Sequence, residues 1–78
     1  MSKFYSANTE LKSYLQELGL EFHDREDEKV QYLTDHNSGK QVKIDTEKSL
    51  VTLLDNAGLT IDESSNFTDN QIESFLDN

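Results

Sequence analysis

From Leu11 onward the apolar residues fall at Leu11, Tyr14, Leu15 and Leu18, the i, i+3, i+4, i+7 spacing of one helical face, and Phe4 and Ala7 continue that stripe toward the N-terminus. The spacing predicts an amphipathic helix. Ser6 or Asn8 is placed to cap its start, and Gly19 supplies a left-handed position at its end, with Leu20 folding back onto the last turn.

Beyond Leu20 the period changes to two. Leu20 and Phe22 alternate with Glu21 and His23, and Val30-Gln31-Tyr32-Leu33-Thr34 and Gln41-Val42-Lys43-Ile44-Asp45 alternate again on either side of Asn37-Ser38-Gly39-Lys40, a tight-turn sequence. Three antiparallel strands are expected. In this reading Val30, Tyr32, Val42 and Ile44 face the helices and Gln31, Gln41 and Lys43 face water, which leaves Leu33 exposed on the hairpin.

Asp45 or Thr46 then caps a second helix carrying Leu50, Val51, Leu53, Leu54 and Ala57, ended by Gly58-Leu59 in the manner of Gly19-Leu20. Further on, Thr68-Asp69-Asn70-Gln71 is a capping box, and Phe67 with Ile72 fits the hydrophobic staple that brackets it. Ile72, Phe75 and Leu76 make one apolar stripe on a short helix. The expected fold class is therefore α+β: a three-stranded antiparallel sheet packed on two helices (α-β-β-β-α) over residues 1–59, an acidic linker over 60–67, and a short C-terminal third helix over 68–78.

Composition narrows what such a domain can do. At 78 residues there is room for one small domain, and with no cysteine neither a disulfide framework nor a thiolate metal site can hold it. No apolar run approaches the length of a membrane span and the first residues lack the apolar core of a signal peptide, so the expected compartment is cytoplasmic. The net charge of −9 argues against a chain that grips phosphate backbone. The excess is one-ended: residues 49–78 hold Asp55, Asp62, Glu63, Asp69, Glu73 and Asp77 without one lysine or arginine.

Candidate chemistry is sparse. His23 and His36 are the residues suited to proton transfer near neutral pH, and the strand reading places them at different ends of a hairpin. The cluster Asp24, Glu26, Asp27 and Glu28 has carboxylates enough for a hard cation, but counted from Asp24 its sixth residue is Lys29 where a calcium loop needs glycine. No catalytic residue, metal site or cofactor is assigned. Arg25, Lys29, Lys40, Lys43 and Lys48 lie in or beside the expected sheet, interleaved with Asp45 and Glu47, so direct nucleic-acid binding ranks below protein recognition.

The order helix, three strands, helix resembles the HicA toxins, small mRNA interferases with a double-stranded-RNA-binding-like fold. The residues that carry it are Leu18-Gly19-Leu20, the hairpin at Asn37–Lys40, and Leu53-Leu54-Asp55-Asn56-Ala57-Gly58-Leu59. The resemblance covers roughly residues 8–60 and implies that fold. The family's Gly-Ser-His signature is replaced by Asp27-Glu28-Lys29, so the catalytic histidine is lacking.

Taken together these features point to a small acidic, non-catalytic protein-interaction domain. The surfaces expected to bind a protein are Phe67, Ile72, Phe75 and Leu76, which suit a partner's groove or a homodimer contact, and Leu33 on the hairpin. An acidic surface is expected from Asp24, Glu26, Asp27 and Glu28 with Asp62, Glu63, Asp69, Glu73 and Asp77. One alternative is an inhibitor of the kind some bacteriophages make, whose carboxylates stand where phosphates would lie on a basic nucleic-acid-binding protein; it requires those carboxylates on one continuous face. A divergent HicA-like RNA binder acting through His23 or Lys29 is the other.

Overall fold

The computed structural model describes residues 3–23 and 29–77. In chain order the elements are Phe4–Ser6 (β1), Thr9–Glu17 (α1), Leu20–His23 (β2), Val30–Asp35 (β3), Gln41–Asp45 (β4), Leu50–Leu54 (β5), Thr60–Ser64 (β6), Asn66–Thr68 (β7) and Asp69–Asp77 (α2). β2 to β6 form a five-stranded antiparallel meander in sequence order, and β1 pairs antiparallel with β7 in a separate two-stranded ribbon. The class is α+β, but with two sheets and two helices in place of one three-stranded sheet and three helices.

The first helix follows its pattern. Asn8 Oδ1 accepts the Leu11 N–H at 3.2 Å, Leu11 and Leu15 are fully buried, and at the other end the Gly19 N–H reaches the Gln16 carbonyl at 3.1 Å. Gly19 has φ +100°, the left-handed turn that lets buried Leu20 start β2. The stripe does not run back to Phe4, which lies in β1 and is 66% exposed.

The expected second helix is absent: Leu50–Leu54 is a strand, and its partner β6 returns beside it. The Asp45 carboxylate does accept the N–H groups of Glu47 and Lys48, at 3.1 and 3.0 Å, as a helix cap would. Ser49 then turns to φ +55°, which breaks any helical continuation and closes a turn between β4 and β5. At the other end Asp55 closes a hairpin. Its N–H donates to the Leu59 carbonyl at 2.9 Å, its Oδ1 accepts from Ala57 and Leu59, and Gly58 takes φ +84°. The segment that carries the HicA resemblance is thus a strand and a hairpin turn, and the helix, three strands, helix order is not the order of this chain.

The register of β3 also corrects the expectation for Leu33. Leu33 stands opposite Val42, which stands opposite Leu53, while Gln31 pairs with Ile44 and Tyr32 with Lys43. Since strand residues alternate between faces, Leu33 shares the helix-facing side with Val42, Ile44, Val51 and Leu53. All of these are buried, and Leu33 has no exposed surface. Val30 and Tyr32 are half-buried on the opposite face with Lys43.

Nor is 60–67 a linker, since β6 and β7 occupy it and Phe67 is part of the core. The capping box forms as its residues imply: the Gln71 N–H donates to Thr68 Oγ1 at 3.1 Å and the Thr68 N–H donates to Gln71 Oε1 at 2.8 Å. It starts α2, whose Ile72 and Phe75 join Phe67, Tyr5, Leu11 and Leu15 against the sheet in one core. Residues on both sides of Leu59 thus contribute to one core.

Candidate functional site

α2 lies over the sheet with its apolar side down and forms a wall between two concavities. On one side is a groove of about 590 Å³ between α2 and the edge strand β6, floored by Leu53, Phe67 and Phe75 and rimmed by Ile61 and Asp62 on β6 and by Asn70, Gln71 and Ser74 on α2. On the other is a cleft of about 490 Å³, between α2, the end of α1 and the β3–β4 turn, where Asp35, Glu73 and Asp77 surround Leu18 and Leu76. The volume of the first lies in the usual range for a binding cleft.

The groove owes its shape to the sheet edge. β6 pairs with β5 alone, and a register shift between Leu53 and Leu54 puts a bulge at the Thr60 end of the strand, where Ile61 remains 54% exposed. Asp62 stands opposite Leu53 on the helix-facing side, and Glu63 stands opposite Thr52 on the other. Glu63 Oε2 accepts the Thr52 hydroxyl at 2.9 Å, and the Glu63 N–H donates to Asp62 Oδ1 at 2.8 Å. Lys40 is the cation among the groove's lining residues. Its Nζ donates to the Phe75 carbonyl at 2.6 Å and sits 5.4 Å from the centre of the Phe75 ring.

Tyr14, on α1, is half-buried beside Tyr5. Its ring stacks on Tyr5, with centroids 4.4 Å apart and planes 9° from parallel. Burial pushes the Tyr14 phenol up to about 12, and the carboxylates of Glu73 and Asp69 add to the shift.

The residues expected to bind a protein are mostly spent on the fold. Phe67, Ile72, Phe75 and Leu33 are in the core and Leu76 is packed against it. Their apolar area faces inward, although Phe67 and Phe75 still show an edge to the groove. The acidic residues do not gather on one face: Asp62 lines the groove, Glu63 lies on the far side of the sheet, and Glu73 and Asp77 line the cleft beyond α2. Asp69 opens α2. Asp24, Glu26, Asp27 and Glu28, with Arg25, fall outside the described residues.

The histidines lie at opposite ends of β2. His23 pairs with Tyr32, whereas His36 follows Asp35, the partner of Leu20, and its Nε2 is 2.9 Å from Glu21 Oε2. The lysines also divide. Lys40 belongs to the groove, Lys43 to the face of the sheet opposite the helices, and Lys29 lies 3.8 Å from Glu47. Among the described residues no three histidine, aspartate or glutamate side chains converge as metal ligands, and no helix is long and apolar enough to cross a membrane.

Sequence reasoning passed over Ile61 and placed Lys40 only among the basic residues in or beside the sheet. The alternation Leu59-Thr60-Ile61-Asp62 was a period-two signal for a strand edge, but Lys40 has no local signature, since its partner lies 35 residues away. No family model, curated protein or solved structure matches the chain.

Proposed function

We propose that the protein is a non-catalytic recognition module that docks a basic segment of a protein partner in the groove between α2 and β6. The observation that carries this reading is the pairing of an apolar floor, Leu53, Phe67 and Phe75, with a rim that exposes Ile61 and Asp62. An apolar cleft with a few polar groups at its edge is the usual form of a binding site, and charge at that edge selects the partner. The six acidic residues of 49–78, without a lysine or arginine among them, supply a field that draws a cationic partner. Lys40 keeps its positive charge while it donates to the Phe75 carbonyl, so it offsets Asp62 locally and the preference for a cationic partner rests on the acidic excess of residues 49–78 as a whole.

The test is binding of the full chain to a displayed library of lysine- and arginine-rich peptides, compared with an acidic library, at low and high salt. Selected basic peptides are expected to bind more weakly as salt rises and to bind the variants Ile61→Ser and Asp62→Asn more weakly than the parent. Failure to select any basic peptide at low salt, or binding indifferent to both substitutions, removes the reading.

A further inference from the structure

We propose, resting on that reading, that the basic segment binds as an added strand, pairing with β6 to become the sixth strand of the meander. Three features of β6 lead there. Among the described residues it is an edge, hydrogen-bonded to β5, and Thr60 to Glu63 are all exposed. A strand edge presents backbone donors and acceptors that another strand can complete, and here the Glu63 N–H, which donates to Asp62 Oδ1 at 2.8 Å, exchanges that acceptor for a carbonyl of the added strand as a cation takes the carboxylate. The groove lies directly beside this edge on the helix-facing side.

The side chains then specify the occupant. Asp62 and Glu63 are consecutive, so they point to opposite faces of the sheet, as their partners Leu53 and Thr52 do. A strand laid against them sets two consecutive residues of its own opposite these carboxylates, one on each face. Cationic residues at both places meet opposite charges across the ladder, a favourable pairing. The residue two places from the cation facing Asp62 shares its face and reaches the groove, where Leu53, Phe67 and Phe75 offer an apolar seat. The occupant is therefore an extended segment with two adjacent lysines or arginines and an aliphatic residue two positions from one of them.

The same charges exclude a second copy of this chain. Antiparallel pairing of β6 with itself sets carboxylate against carboxylate, and like charges directly opposite destabilise a ladder. The acidic pair thus does what charged residues commonly do at exposed edges, blocking self-association, while leaving the edge open to a strand of opposite sign.

The probes are three peptides of about nine residues built from alternating valine and threonine: one with a central Arg-Lys pair, one with Glu-Glu in its place, and the Arg-Lys peptide N-methylated on alternate residues. Binding to the full chain is read by fluorescence anisotropy, and amide hydrogen exchange reads protection at residues 61–64. The Arg-Lys peptide is expected to bind and slow exchange there, while the other two do not. Neutralising each carboxylate, Asp62→Asn or Glu63→Gln, is expected to weaken binding about two- to fivefold, the range for one cross-strand charge pair. The double reversal Asp62→Lys with Glu63→Lys is expected to transfer binding to the Glu-Glu peptide. If the double reversal does not fold, the two neutral variants decide alone. Equal binding of the N-methylated and unmodified peptides overturns strand addition while leaving basic-segment docking intact. Absence of binding by every basic peptide overturns both.

Discussion

Lys40 Nζ donates to the carbonyl oxygen of Phe75 at 2.6 Å, tying the start of β4 to the last turn of α2. Helices end with carbonyls that lack intrahelical partners, and cations are favoured beside them. α2 has no basic residue in its own last turn, so the sheet supplies one from 35 residues away. The same ammonium sits over the Phe75 ring, which makes Lys40 a structural cation in the lining of the groove.

Replacing it with methionine keeps much of the aliphatic stem and removes the charge. Lys40→Met is expected to lower stability by about 1–2 kcal/mol, the scale of a charged hydrogen bond at a helix terminus. Urea denaturation measures the loss, and hydrogen exchange should show it as faster opening of residues 73–77. A variant as stable as the parent would mean that the contact contributes nothing net.

Leu33 is the most direct test of the β3 register. With no exposed surface and Val42 opposite, Leu33→Ala is expected to destabilise by about 2–5 kcal/mol, as cavity-forming substitutions in a packed core do. Leu59→Ser, at a position 66% exposed on the β5–β6 hairpin, should change stability by no more than about 0.5 kcal/mol. If the two losses were alike, the register would be wrong.

That register was hidden in the sequence for a physical reason. Val30, Tyr32 and Leu33 are all apolar, so alternation alone leaves two phases open, and a slip of one residue exchanges the faces. Pairing with β4 decides it, because Leu33 must share a face with Val42, and that contact is not local. The missing helix has a similar origin. Leu50-Val51-Thr52-Leu53-Leu54 satisfies both a helical stripe and a buried strand, and an aspartate accepting from the amides two and three residues on caps a turn as readily as a helix. Where a signal was local and specific it held: Asn8 caps α1 and Thr68-x-x-Gln71 caps α2. The groove was harder to see, since it depends on which strand is the edge, and Phe67 and Phe75 divide their surface between the core and the groove floor.

Truncation after Leu59 would remove β6, β7 and α2 together. Phe67, Ile72 and Phe75 go with them, leaving β5 as an uncovered edge and β1 without its partner. The fragment 1–59 is expected to lose cooperative unfolding, with a collapsed near-ultraviolet dichroism signal and rapid amide exchange throughout. A cooperative thermal transition in the fragment would show that the first five strands and α1 suffice as a domain.

Tyr14 sets an alkaline limit on stability. Its phenol is neutral when protonated, and the folded environment raises it from the ordinary 10.0 to about 12, first by burial and then by the carboxylates of Glu73 and Asp69. The folded state thus holds the proton more tightly than the unfolded chain. By linkage this favours folding in full below pH 10 and is progressively lost as pH rises from about 10 through about 12. The expected outcome is a urea midpoint that falls across that interval, with Tyr14→Phe falling less steeply because the variant has no proton to lose there. Phenolate absorbance supplies a second readout, since the group missing from the variant should be one that titrates above the ordinary tyrosine range. Parallel stability profiles for parent and variant between pH 9 and 12 would refute the assignment, because the remaining tyrosines and lysines are common to both proteins and cannot mask the difference.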